Sequence, residues 1–136
     1  MLEFLQMTAM ILTGYLLSSL LAIGIVFIGS RFLWDPATAS RDFGIPDSPS
    51  LSTGFTGWLA VKGARDIVSG LFVFLLMANG SPRLLGEFLL VASLIAMGDA
   101  AIVLRSGGSR TAAFGIHGLT ALVIIAAGAC LIGAVI

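Results

Sequence analysis

Hydrophobic and polar positions in this chain fall into long blocks instead of alternating. Four stretches, Met7–Gly29, Phe55–Ala78, Leu84–Leu104 and Thr111–Val135, are long and almost wholly apolar. About 20 such residues suffice for a helix to cross a hydrocarbon layer of ~30 Å. The pattern predicts an all-α, integral membrane four-helix bundle, with the four helices in one domain over residues 1–136. The longest connection, 30–54, is punctuated by Asp35-Pro36, Arg41-Asp42, Gly44, Pro46, Asp47, Pro49 and Ser50. Such punctuation predicts loop and turn, and a connection of this length is often a lid or binding loop. Asn79–Arg83 and Arg105–Arg110 read as short turns, the first making the second and third helices antiparallel neighbours. The opening segment has the length of a helix and lacks the basic start of a secretory signal.

Composition narrows the picture. Hydrophobic residues make up 58% of the chain and charged residues 10%, where a soluble domain carries about a quarter. So few charges cannot cover a water-exposed surface. The formal net charge is zero, which argues against nucleic acid as a partner. Cys130 is the one cysteine, which excludes an intrachain disulfide, a CxxC pair and a multi-cysteine metal site. Arg31, Arg41, Arg105 and Arg110 fall on one side of the expected bundle and Arg83 on the other. By the arginine bias of short loops, the first and third connections are cytoplasmic. The expected location is the endoplasmic reticulum for a fungal source and the inner membrane for a bacterial one. Ala60/Ala64 and Ala129/Gly133 have the spacing that lets membrane helices approach closely.

Against this background five ionisable residues stand out: Lys62, Arg65 and Asp66 in the second helix, Asp99 in the third and His117 in the fourth. Such residues are costly within a span and mark bundle interiors or cavities. Lys62, Arg65, Asp66 and Ser69 recur at helical spacing with Trp58 a turn away, and His117 shares a face with Thr120, as Tyr15 does with Ser18 and Ser19. Asp99 and His117 each lie ~10 Å inside their loop arginines at 1.5 Å per residue. The reading is one cavity open towards the long first loop, in which Arg65 bridges carboxylates through its planar fork. Each residue also has a plainer role: Lys62 snorkelling to the interface, Arg65 and Asp66 as a structural ion pair, Trp34 and Trp58 as interface anchors.

The runs Gly44-Ile-Pro-Asp47, Val61-Lys-Gly-Ala-Arg-Asp-Ile67, Gly98-Asp99-Ala100 and Gly115-Ile-His-Gly118 together resemble a family of small four-helix membrane proteins of bacteria and fungi, most of them grouped as a domain of unknown function. Similar small membrane proteins belong to fungal polyketide pathways and open or rearrange epoxides. The resemblance covers nearly the whole chain and raises the expectation that the polar cavity is catalytic.

The function expected is general acid–base catalysis on a lipophilic small molecule drawn from the bilayer, most concretely epoxide hydrolysis or epoxide-opening cyclisation. Asp66 and Asp99 supply acid and base, Arg65 orients them, His117 relays a proton and Lys62 stabilises a developing alkoxide. Tyr15, Ser18, Trp58, Ser69 and Thr120 line the substrate site. No metal or cofactor is called for. Expected partners are the substrate and the lipid bilayer, with a homo-oligomer left open. Double-bond isomerisation is a second enzymatic reading, and a proton-coupled transporter or accessory membrane subunit is the rival from another class.

Overall fold

The computed structural model describes residues 1–46 and 52–135. Asp47, Pro49 and Ser50, expected in the long connection, lie outside the described residues. Among those described there are five helices, not four: α1 (Leu2–Trp34), α2 (Pro36–Phe43), α3 (Thr53–Asn79), α4 (Pro82–Arg105) and α5 (Thr111–Gly133). The first eight residues of α5, Thr111–Gly118, are wound as a π-helix that passes directly into α-helix.

The extra helix corrects the reading of 30–54 as loop. α1 runs past Ser30 to Trp34, and Asp35-Pro36 is a helix start and not a turn. The Asp35 carboxylate accepts from the Thr38 amide at 3.3 Å, and Pro36 occupies the first turn, where its missing N–H costs nothing. Gly44, at φ 97°, closes the helix in the left-handed region. Ser52 and Ser81 cap the starts of α3 and α4 as Asp35 caps that of α2.

Three helices, α1, α4 and α5, are long and apolar enough to cross a membrane. α3, at 27 residues, is longer than α4 at 24. What sets it apart is that Lys62, Arg65 and Asp66 fall within every 18-residue window along it.

α1 packs chiefly on α3 and on the second half of α5, and α4 packs chiefly on α5. α3 and α4, although joined by a tight turn, touch only sparsely. The close approaches are made by small residues other than the predicted pairs: Ala64, Ala129 and Gly133 are exposed. Ala22 and Gly29 of α1 instead meet Gly70 and Gly63 of α3, at a seven-residue spacing that keeps each pair on one face. A methyl group on Gly29 would stand 2.7 Å from the Gly63 carbonyl oxygen, and one on Gly70 2.7 Å from that of Ala22. Gly86 and Gly128 make the corresponding contact between α4 and α5. One apolar core, containing Ala22, Val73, Leu85, Leu89, Ala127 and Leu131, fills the half of the bundle away from α2. Two smaller clusters around Phe32 and Val103 pack on Phe43 at the other end. A cavity lies between.

Gly63→Val places side-chain carbon against backbone that cannot yield, since a Cβ there would lie 2.5 Å from the Gly29 oxygen. Overpacking of this kind costs about 1–3 kcal/mol. We expect thermal unfolding of the purified protein to shift down by about 5 °C or more. Gly57→Ala, where nothing stands within 4 Å, is the control and should leave Tm unchanged or raise it.

Candidate functional site

The cavity has a volume of about 500 Å³, within the range of small-molecule sites. Registry across the glycine contacts explains why polar groups from three helices meet in it. Gly29 lies against Gly63, Asp66 and Ile67, and Gly86 against Gly128. From that second contact, Asp99 is ~20 Å along α4 and His117 ~17 Å along α5 in the same direction, so the two arrive at similar depth. Asp66 reaches the cavity beside Gly29, where the lack of a side chain leaves room for it.

Lys62, Asp66, Ser69, Asp99, His117 and Thr120 all line the cavity. Arg65 does not, and its side chain faces outward. The reason is angular. At 100° per residue Lys62, Asp66 and Ser69 fall within ~60° of one another, whereas Arg65 lies ~100° from Asp66. Trp58, 73% exposed, also stands outside. Tyr15 packs against the apolar core, and Ser18 is buried with its hydroxyl donating to the Gly14 carbonyl at 2.7 Å.

Among the described residues Arg65 makes no bridge between the two carboxylates; Lys62 pairs with Asp66 alone. Its ammonium donates to Asp66 Oδ2 at 2.5 Å and lies 4.8 Å from the Phe32 ring centroid and 5.0 Å from that of Phe43. Aromatic faces attract a cation that has lost part of its hydration. Asp99 has no cationic partner within bonding distance among the described residues. The Asp66 carboxylate is thus held by a cation, and that of Asp99 is free to meet a ligand.

Among the lining residues that were not anticipated, Arg31, Asp42 and Phe43 make the polar contacts that hold α2 in place. The Arg31 guanidinium donates to Asp42 Oδ2 at 2.8 Å and ties α2 to α1. On the other side, His117 Nε2 lies 2.9 Å from the Phe43 carbonyl oxygen, with the two rings 4.6 Å apart. A carbonyl only accepts, so Nε2 carries the proton and donates it, leaving Nδ1 for other chemistry. The signal for these residues was present in Asp35-Pro36 and Gly44, which frame a short helix once read as start and stop. The π-helical turn that carries His117 had no such signal beyond Gly115 and Gly118, and π-turns are frequent at functional sites. Among the described residues no group of three or more His, Cys, Asp or Glu side chains is placed to hold a metal ion.

His117→Ala removes both ties to Phe43. A hydrogen bond is worth ~1 kcal/mol and an aromatic contact a similar amount, so α2 should open about 10- to 30-fold more often. Amide exchange of residues 38–43 should accelerate by that factor while exchange in α1 and α4 is unchanged.

Neither the curated proteins nor the solved structures hold a match to the chain. The sequence from residue 22 to residue 131, which takes in every cavity-lining residue except Leu21, does match the family described as domain of unknown function DUF4267, and the chain belongs to that family.

Proposed function

We propose that the protein is a four-span membrane enzyme that acts on a lipophilic small molecule by general acid–base catalysis, with epoxide opening as its reaction. The observation that carries this reading is the unequal setting of two carboxylates on one cavity: Asp66 bound to Lys62, and Asp99 without a cation among the described residues. Environments that treat two carboxyl groups differently are how one site supplies both an acid and a base. Asp66, paired with Lys62, takes a proton from water or from a substrate hydroxyl. The oxygen so freed attacks an epoxide carbon, that carbon's bond to the ring oxygen breaks with its electron pair leaving on oxygen, and Asp99 delivers a proton there. The product gains one water, or a ring when the attacking hydroxyl is the substrate's own. Proton exchange between the two carboxyl groups restores the starting state. His117 Nδ1 and the Thr120 hydroxyl serve that exchange, and Lys62 offsets charge on the opening oxygen. The choice of epoxides draws on the resemblance set out above.

The four-span reading takes α3 as the fourth crossing. Its charges face the cavity through Lys62 and Asp66, and Arg65, about two turns below exposed Trp58, reaches the headgroups by snorkelling. Four spans put both termini on one face and three put them on opposite faces. Reporters fused in turn to each terminus should therefore report the same compartment, the non-cytoplasmic one. Opposite compartments would remove α3 from the membrane.

For the chemistry, membranes containing wild-type protein are incubated with lipophilic epoxides and products are weighed by mass spectrometry. General acid–base groups contribute about 10²–10⁴-fold. Asp66→Asn and Asp99→Asn, if still monodisperse, should each lose at least about 100-fold in kcat. Folded variants that convert as fast as wild type would sink the assignment. The closure of the cavity's inner end by Val73 and Leu89 supports a one-sided pocket over a path through the membrane.

A further inference from the structure

The cavity is sorted along its length. Lys62, Asp66, Asp99 and His117 stand at the end covered by α2, and Leu21, Val73, Phe88 and Ile124 at the other. From Lys62 to Val73 on α3, and from Asp99 to Phe88 on α4, the distance is ~16 Å at 1.5 Å per residue. A volume of about 500 Å³ over that length leaves a mean section of ~30 Å². That is wide enough for one extended hydrocarbon chain and too narrow for two side by side, given carbon contacts of about 3.5–4.0 Å. Small residues make the space: Ala22 on α1, and Ala92 and Ala96 on α4. Where α3 and α4 touch sparsely, Ile95 both lines the cavity and is 59% exposed, so the channel borders the lipid along that seam.

From this we infer that the ligand is a single-tailed amphipath: one extended chain whose oxygen function sits among Lys62, Asp66, Asp99 and His117 and whose tail points to Phe88 and Ile124. At ~1.2 Å per bond of extended chain the tail holds about a dozen bonds. Two-tailed lipids are excluded by section and longer tails by the closed inner end. The inference rests on the catalytic reading for which end reacts, and on the cavity's shape for the length and number of tails.

The test uses unreactive probes so that binding is read apart from turnover. Full-length protein in lipid nanodiscs is photolabelled with a 1,2-alkanediol of about twelve carbons bearing a diazirine at the tail end. Labelled residues are mapped by mass spectrometry, and plain diols of about six to about eighteen carbons compete. The expected result is labelling at Val73, Phe88, Ala92 or Ile124. Competition should be strongest near twelve carbons and weaker by about tenfold at the longest chain, with a diacylglycerol failing to compete. Ala92→Phe fills the channel and should move the optimum to shorter chains. Ala92→Leu, a smaller change, should move it the same way by less. Labelling on the outer helix faces, competition independent of length, or competition by the two-tailed lipid would each overturn the inference. Length-selective labelling without conversion of any epoxide would leave the pocket standing and remove the enzymatic reading. Conversion without length selectivity would do the reverse.

Discussion

Where α1 and α3 meet at Gly29 and Gly63, backbone lies against backbone with no space for a methyl group, and the site's ion pair leaves α3 at this same place. Lys62 precedes Gly63 and Asp66 comes one turn after Lys62. The contact therefore does two things at once. It sets the distance between the two helices, and it fixes the angle at which α3 turns its charged side inward. Rotating α3 to relieve a bulkier residue would carry Asp66 off the cavity and bring other residues in. Close packing of small residues is the main source of helix association in a membrane, where apolar burial between helices gains little over contact with lipid. Position of the polar site and cohesion of the bundle thus depend on the same few atoms.

An ion pair away from water offsets little of its own desolvation unless its geometry is good and its remaining bonds are met. Lys62 meets that condition with a carboxylate oxygen and two aromatic faces, Phe32 and Phe43. One of those rings comes from α2, so the short helix covers the site and completes the ammonium's surroundings. Arg31 with Asp42 and His117 with Phe43 fasten α2 on opposite sides. The cover is held by these two polar ties and by the packing of Ala39 and Phe43 on the small clusters around Phe32 and Val103, and an element with so few contacts opens more readily than the main core.

Much of this was legible in the sequence, and the parts that were not have identifiable causes. Block hydrophobicity gave the long helices, and i, i+4 spacing placed Lys62 beside Asp66 on an inward face. The same spacing argument, applied too broadly, included Arg65, which stands at the margin of the stripe. Tyr15 and Ser18 were grouped by face alone, and a face says nothing of whether it meets a cavity or a packed neighbour. Ala60/Ala64 and Ala129/Gly133 have the right spacing for helix contact, but small residues are abundant in apolar helices and only tertiary packing selects among them. Asp35-Pro36 was read as a turn because proline punctuates both turns and helix starts. The distinction lies in the cap that the Asp35 side chain makes with the Thr38 amide.

A bundle of this size has ample apolar side chains to fill its interior, and the cavity persists because of where the small ones fall. Along the face of α4 that meets the cavity, Ala92 and Ala96 stand between Phe88 and Asp99, opposite Ser69 on α3. The rings of Phe72 and Phe88 lie 5.2 Å apart, about two helical turns from the connection, and α3 and α4 otherwise touch only sparsely. With α1 holding α3 through glycines and α5 holding α4 through Gly86 and Gly128, the two halves of the bundle are each tight, and slack collects in the seam between them. Filling that seam with larger side chains would strengthen the bundle by ordinary packing. That it is lined by alanine and serine on one side of four ionisable groups is what makes the space read as a ligand site and not as a packing defect.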